Sequence, residues 1–408
     1  MRGRGPLLII AATVIAGLAG YAVTFLVFRA SGAANYAVFA VFWAAIYLVI
    51  GALAGIQQEI TRATSPRPVD SVNPANRARN FAVVCTLVVL VVILASSFFW
   101  APAVFPSTAQ ALVLPLAIGA SSYVVVATVS GSLYGVAEWR SIALLIVVDA
   151  IVRLVLLIVT LQLTTDVVTL AWAVSLPFPL AVLLLWRFIR RGLVGVSVLD
   201  VGYRKLIWNV ARTVLASVST AVMVSGFPLI IGVTARSEPA ALVGQLIFTI
   251  TLTRAPLIVT VMALQSYFVV RFRESSSTTS RTLGVVIGGI VAATAVIAAL
   301  GWWLGPPVLT LVSGTTDRLG GSVIAVLVIS SGLVATLSIT SAVVLARSRH
   351  LLYSLGWLAA ALVTISVMAS GVAFIPRVEL ALIIGPVVGL LVHLVGFAVM
   401  RSTAKDRS

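Results

Sequence analysis

Charged side chains are scarce in this chain of 408 residues: only 9% are Asp, Glu, Lys or Arg, and just 11 are acidic. A soluble domain carries about a quarter charged residues, and the longest polar interval here, 187–212, is too short to fold as a domain. A soluble enzyme is therefore excluded. One cysteine, Cys85, permits neither an intrachain disulfide nor a thiolate metal site.

Apolar runs of membrane-spanning length fill the chain instead. A bilayer core about 30 Å thick needs about 20 helical residues to cross it, and a helix satisfies its backbone hydrogen bonds internally. The sequence therefore predicts an all-α polytopic membrane protein with about 12 transmembrane helices. Their ranges are 6–28, 37–56, 81–103, 111–135, 141–163, 167–186, 213–235, 240–270, 282–304, 321–345, 351–373 and 378–400.

The positive residues fall into alternate gaps between these runs. Of the 27 Lys and Arg residues, 21 lie on one side, four lie on the other and two lie inside runs. The positive-inside rule then places both termini in the cytoplasm of a cell-membrane protein. Because loops facing anionic lipid headgroups account for the net charge of +16, we expect the lipid bilayer, and no nucleic acid, as the partner of these residues.

The most polar interval divides the chain into two six-helix halves. The sequence predicts an N-terminal bundle at 1–191, a cytoplasmic interfacial linker at 192–212 and a C-terminal bundle at 213–408. Apolar side chains opposite a basic pair favour a short amphipathic helix in the linker. A basic loop without fixed structure is the alternative.

Two stretches carry a family resemblance. Residues 32–63, GAANYAVFAVFWAAIYLVIGALAGIQQEITRA, enter the second run through a turn with Gly32 and Tyr36, and leave it through Gly55 and Arg62. The turn into the fifth run, LYGVAEWRSIALLIVVDAIVRLVLL, is the other. With the twelve-helix layout, they resemble the multidrug/oligosaccharidyl-lipid/polysaccharide exporter (MOP) superfamily, and within it the polysaccharide-biosynthesis (Wzx-type) flippases.

This resemblance implies a MATE-like fold, in which two six-helix bundles surround a cavity that opens to alternate sides of the membrane. It also implies a polyprenyl-diphosphate-linked glycan as cargo, with a glycan polymerase or glycosyltransferases as further partners. The family has no catalytic signature to transfer. We therefore expect no enzyme activity, no cofactor and no metal.

Charged residues inside the runs are the best functional candidates, since each costs on the order of 2.5–3.5 kcal/mol at a helix centre. Asp149 and Arg153 share one face of the fifth run at i,i+4 spacing. They can neutralise each other, which is the structural interpretation. The functional interpretation places them in the substrate cavity.

Arg254 lies in the eighth run, where no acid accompanies it and where Gln245 and Thr249 add polarity. An arginine in a cavity can bind a diphosphate through its planar fork of donors. The alternative is an inter-helix bridge from Arg254 to Asp149, which would leave Arg153 to meet the substrate.

Further candidates are positions that bend or line the cavity. Pro228 with Gly226, and Pro256 near Arg254, are hinge candidates because proline removes a backbone hydrogen bond. Gln57, at the end of the second run, would line the cavity mouth or simply end a helix. His393 is expected to bond to a neighbouring hydroxyl or backbone group, with proton relay as the alternative.

Two arginines and little buried acid favour an anionic cargo, so the leading hypothesis is a flippase for lipid-linked oligosaccharide. A cation-coupled drug antiporter of the same superfamily is the alternative, but it needs a carboxylate that can be neutralised, and Arg153 opposes the protonation of Asp149. A non-transporting scaffold of glycan assembly is a third hypothesis. A membrane glycosyltransferase is disfavoured because the outer loops are very short.

Overall fold

The computed structural model describes residues 4–66, 77–106, 108–193, 197–199, 201–254, 279–313, 319–347 and 349–405. Almost all of these residues are helical. In chain order the elements are α1 (Arg4–Ala63), β1 (Thr64–Pro66), α2 (Arg77–Val104), α3 (Ala109–Gly135), α4 (Trp139–Leu163), α5 (Val167–Ser175), α6 (Pro177–Leu193), β2 (Ser197–Leu199), α7 (Tyr203–Val224), α8 (Phe227–Thr234), α9 (Ala240–Arg254), α10 (Thr279–Ser313), α11 (Gly321–Ala346), α12 (His350–Met368) and α13 (Phe374–Lys405).

The predicted polytopic helical architecture is confirmed. Ten helical stretches in the described residues are long and apolar enough to cross a membrane, and α9 adds a shorter apolar helix. The first two predicted runs share α1, which is interrupted at Gly32 (φ 74°, ψ 166°). This left-handed conformation suits glycine, which has no Cβ. With α1 counted twice and α9 as the described part of the eighth run, the described part of every predicted run falls largely on helix.

The first compact unit comprises Met1–Val233. Within it α1 packs against α3, α4 and α7, and α2 packs against α3. One apolar core of this unit joins Ile56 and Ile60 of α1 to Val124 of α3 and to Leu206 and Val210 of α7. Apolar burial in this core holds the beginning of α7 against the end of α1.

The beginning of α7 differs from the sequence-based expectation. The seventh run was predicted to begin at 213, after an interfacial helix, whereas one continuous helix begins at Tyr203. The preceding residues Ser197–Leu199 form a strand that pairs antiparallel with Thr64–Pro66. Contacts with α1 therefore hold the residues from Tyr203 to Arg212, which the sequence assigned to the linker. The predicted division into an N-terminal bundle (1–191), a linker (192–212) and a C-terminal bundle (213–408) stays a prediction.

The seventh run is also interrupted near its centre. Helix α7 ends at Val224, and α8 begins at Phe227, one residue before Pro228. Between them the N–H of Gly226 donates to the carbonyl oxygens of Ala221 and Val222, at 3.1 and 3.0 Å. The break thus coincides with the hinge candidates Gly226 and Pro228, whose role in motion stays a prediction.

The second compact unit comprises Thr234–Ser408. Helix α11 packs against α10 and α13, and α12 packs against α13. Trp357 of α12 is among the largest fully buried side chains. Helix α11 supplies a dense row of buried small and aliphatic residues, which lets its neighbours approach closely.

Candidate functional site

The pair predicted from i,i+4 spacing is formed in α4. One terminal nitrogen of Arg153, Nη2, donates to both carboxylate oxygens of Asp149, at 2.9 and 2.8 Å. The Nε–H group of Arg153 points to the carbonyl oxygen of Val174, 3.4 Å away, near the end of α5. The Arg153 side chain is 8% exposed and that of Asp149 is 19% exposed. Arg153 is therefore engaged by Asp149, and Asp149 has the more exposed side chain of the pair.

Aromatic rings from neighbouring helices enclose this pair. The guanidinium carbon of Arg153 lies 4.6 Å from the ring centre of Phe178 in α6 and 5.8 Å from that of Tyr47 in α1. Tyr123 of α3 meets the Phe178 ring edge to face, with 5.6 Å between the ring centres. Cation–π attraction adds to the ion pair and offsets part of the cost of burying the charge. Four helices thus meet at one charged and aromatic cluster.

Arg254 ends the described part of α9 and is 6% exposed. The preceding helix is polar, as expected, because Gln245 and Thr249 are both buried. The Thr249 hydroxyl donates to the carbonyl oxygen of Gln245 at 2.8 Å. The Thr253 hydroxyl donates to the carbonyl oxygen of Thr249, also at 2.8 Å. Both hydroxyl groups therefore find a hydrogen-bond acceptor on the backbone of α9 itself. Pro256 lies outside the described residues.

The alternative bridge from Arg254 to Asp149 was expected to leave Arg153 free. In the structure Arg153 instead holds both oxygens of Asp149. Binding of substrate by Arg254, Arg153, Asp149, Gln245 or Thr249 stays a prediction.

A network of polar side chains surrounds Glu59 at the end of α1, near Gln57, which was predicted to line a cavity mouth. Glu59 is 3% exposed and binds Arg62 through both carboxylate oxygens. Its Oε1 atom also accepts a hydrogen bond from the side-chain amide of Asn209 in α7, at 2.8 Å. Gln57 is half-buried, and its carbonyl oxygen accepts a bond from the Thr61 hydroxyl. Sequence reasoning missed Asn209, because nothing in its local pattern indicates a partner 150 residues away.

His393 is fully buried in the second unit. Its Nδ1 atom lies 3.0 Å from the Thr340 hydroxyl in α11. That hydroxyl also donates to the carbonyl oxygen of Leu337. This is the neighbouring-hydroxyl contact expected from the sequence, and proton relay stays the alternative.

Sequence reasoning also missed an aromatic row on α1, formed by Tyr36, Phe39, Trp43 and Tyr47. The distances between successive ring centres are 6.3, 5.8 and 4.7 Å. The signal was present as helical spacing, since the four residues share one helix face. The row ends at Tyr47 beside Arg153, so it leads directly to the charged cluster of α4.

Comparison with curated proteins reveals relatives of nearly the same length. The chain is 30% identical over 394 residues to the uncharacterized protein Mb3654 of Mycobacterium bovis, covering 95% of this chain and 90% of that protein. The chain belongs to the family of these mycobacterial proteins. Another member, the uncharacterized protein Rv1510 of Mycobacterium tuberculosis, is 29% identical over 393 residues, with the same coverage of both chains. No family model matches the chain.

Solved structures relate this chain to a known fold. An inward-facing multidrug resistance MATE family transporter of the MOP superfamily aligns with a TM-score of 0.70 at 16% identity, over 99% of both chains. An outward-facing structure aligns with a TM-score of 0.63 at 17% identity, over 100% of this chain and 98% of the other.

A MOP superfamily transporter from Pyrococcus furiosus, described as having a binding pocket of reversed polarity, aligns with a TM-score of 0.63 at 19% identity. The alignment covers 99% of this chain and 96% of that one. The chain therefore has the MATE-like fold of the MOP superfamily, which confirms the fold implied by the sequence resemblance.

Proposed function

We propose that this protein is a non-enzymatic membrane transporter that moves a polyprenyl-diphosphate-linked glycan from the cytoplasmic to the outer leaflet. Its fold supports transport by alternating access, because the same fold occurs in inward-facing and outward-facing structures of transporters. The reversed pocket polarity described for the Pyrococcus furiosus protein supports the idea that this fold accepts cargoes of different charge.

The observation that carries the choice of cargo is the state of two carboxylates inside described helices. Asp149 forms an ion pair with Arg153, and Glu59 forms one with Arg62. A cation-coupled antiporter needs a carboxylate that exchanges its partner for Na⁺ or H⁺ during transport. An arginine at bonding distance competes with both ions, which favours an anionic cargo over a cationic one.

Arg254 is the residue proposed to meet the anionic group. It is buried, and it is the last described residue of α9, whose preceding turns are polar. A guanidinium presents donors in a planar fork that matches the oxygens of a diphosphate, and it stays charged when buried. The prenyl tail of the cargo would remain in the lipid while the headgroup passes Arg254.

The second candidate function is a cation-coupled drug antiporter. The observation in its favour is that several structures with this fold are multidrug transporters. A non-transporting scaffold of glycan assembly remains the third hypothesis, and partnership with a glycan polymerase or glycosyltransferases is part of the proposal. In each case the protein would act in the cell membrane with both termini cytoplasmic.

The test is the distribution of lipid-linked glycan between the two membrane leaflets in cells. The strains to compare lack the protein or carry wild type, Arg254→Ala, Arg254→Lys or Arg236→Ala. Arg236 is the matched control, because it is an exposed arginine ahead of the same helix. Deletion and Arg254→Ala should leave the glycolipid on the cytoplasmic leaflet, whereas Arg236→Ala should behave as wild type.

Arg254→Lys should retain part of the activity, since it keeps the charge and loses the fork. Membrane levels of each variant are measured in parallel, so that poor expression is recognised. An unchanged glycan distribution after deletion would refute the flippase proposal and leave drug efflux as the function to examine.

A further inference from the structure

We propose that the beginning of α7 binds one anionic phospholipid of the bilayer. Arg204 and Lys205 bind its phosphate, and its acyl chains lie along Ile207 and Trp208. This inference goes beyond the proposed transport function and does not depend on the identity of the cargo. It rests on a cavity, on the helix face that lines the cavity and on the charge of that region.

The cavity lies along the first turns of α7 and has a volume of about 830 Å³. Its described lining includes Tyr203, Arg204, Lys205, Ile207 and Trp208, and it contains none of the candidate transport residues. Apolar and aromatic walls with a few charged groups are the usual composition of a small-ligand site. The cavity is therefore a place where a partly apolar, partly charged molecule can bind.

The cavity occupies the face of α7 that is turned away from α1. Leu206 and Val210 are buried in the core that α7 shares with α1. An α-helix turns by about 100° per residue, which places Arg204 and Trp208 on the opposite side of the helix. Ile207 and Trp208 are 54% and 65% exposed. Because packing on one face fixes the helix, the other face presents these side chains in a preformed arrangement.

The region keeps a positive charge that its own acids do not balance. Residues 200–212 contain three basic residues and one acid, Asp200, which lies outside the described residues. Glu59 interacts electrostatically with Lys205, but both of its carboxylate oxygens bind Arg62, so these two groups neutralise each other. Three positive charges against one negative charge leave a surplus of two, which favours an anionic ligand.

The order of side chains along α7 matches the layers of a phospholipid. The exposed side chains of Arg204 and Lys205 suit the oxygens of a phosphodiester, on the side of the membrane predicted to carry anionic lipid. Tyr203 and Trp208 are aromatic residues of the kind that lie at the headgroup level. Leu215 follows Arg204 by three helical turns on the same face and is 73% exposed. Free phosphate would leave these apolar side chains unused, so a lipid fits better.

The experiment counts phosphatidylglycerol molecules that bind to the detergent-purified full-length protein, by native mass spectrometry. Wild type should bind one molecule in preference to phosphatidylcholine, whose headgroup has no net charge. Each basic residue is worth about a fivefold gain in affinity for an anionic lipid, so Arg204→Gln/Lys205→Gln should weaken binding about thirtyfold. The matched control is Arg190→Gln/Arg191→Gln, an adjacent exposed pair at the end of α6, which should bind as wild type does.

Three results would overturn the proposal. Equal affinity of wild type for the two phospholipids would do so without any variant. Equal weakening in both double variants would show that general surface charge, rather than the cavity, attracts the lipid. Displacement of phosphatidylglycerol by inorganic phosphate or by farnesyl diphosphate at a lower concentration would assign the cavity to a free anion or to a prenyl diphosphate. Thermal unfolding of each variant confirms that the exchanged surface residues leave the fold unchanged.

Discussion

At the scale of residues, the Asp149–Arg153 pair shows how a membrane helix retains charge. Taking either group alone into an apolar environment is costly, but the pair is held by two hydrogen bonds and two ring contacts. The i,i+4 spacing predicted this bond directly. The aromatic enclosure depends on three other helices, which no local pattern of α4 describes.

The pair makes a prediction about stability. Asp149→Leu leaves the Arg153 charge without its carboxylate, and we expect a loss of about 3 kcal/mol in the free energy of unfolding. The double variant Asp149→Leu/Arg153→Met removes both charges and should recover most of this loss. Thermal unfolding of the purified proteins measures the effect. A double variant as unstable as the single variant would show that the pair acts through more than its charge.

At the scale of elements, the close approach of α1 and α7 explains why α7 is part of the first compact unit. A Cβ atom added to Gly55 would lie 2.5 Å from the backbone nitrogen of Val214 and 2.6 Å from the carbonyl carbon of Thr213. The hydroxyl of Thr213 donates to the carbonyl oxygen of Gly55 at 2.9 Å. Contact between the two backbones therefore joins α7 to the first unit.

This contact predicts different outcomes for two glycines of the same helix. Gly55→Ala should destabilise the protein by about 1–3 kcal/mol, because overpacked backbone cannot easily move away. Gly20→Ala has open space around the new Cβ atom and should be neutral or stabilising by up to about 1 kcal/mol. Thermal unfolding compares the two. Equal melting temperatures would contradict the close approach.

The N-terminus of α5 provides a pH-dependent contribution outside the membrane spans. Asp166 Oδ2 accepts hydrogen bonds from the backbone N–H and the hydroxyl of Thr169, both at 2.8 Å. These bonds favour the charged form and hold the pKa of Asp166 below its ordinary value. The stabilisation is present above the pKa of the unfolded chain and is lost as the pH falls through the lower pKa of the folded protein.

Asp166→Ala should therefore cost about 1 kcal/mol at neutral pH, and this difference from wild type should shrink below about pH 4. Asp166→Asn is the matched control: it keeps a capping oxygen and should retain most of the stability. Unfolding curves at several pH values provide the measurement. A difference that does not depend on pH would exclude a role for the carboxylate charge.

At the scale of the whole molecule, the charge bias of the loops predicts the orientation in the membrane. Arg140 lies at the beginning of α4, in the positive gap between the predicted runs 111–135 and 141–163, and Arg236 follows α8 on the side with fewer positive residues. In a Cys85→Ser background, a membrane-impermeant maleimide added to intact cells should label Arg236→Cys and not Arg140→Cys. Inverted vesicles should give the opposite result. Labelling of Arg140→Cys from outside would refute the assignment of cytoplasmic termini.

The sequence predicted the helical architecture well, because hydropathy reports the property that the bilayer selects. The described part of every predicted run falls largely on helix, and Gly32 of the family turn is where α1 is interrupted. The beginning of α7 was predicted less well. The polar residues from Tyr203 to Arg212 suggested an interface, yet Leu206 and Val210 are buried against α1. Contacts with a distant helix overrode the local composition.

The candidate site divides in the same way. The sequence by itself determined the ion pair within α4, the burial cost that makes Arg254 a candidate, and the helices that carry both, because each depends on spacing and hydropathy along one segment. Only the tertiary structure decided that Asn209 meets Glu59, that His393 meets Thr340, and that Tyr47 and Phe178 enclose Arg153. These contacts join residues far apart in the chain, and helix packing, rather than local periodicity, brings them together.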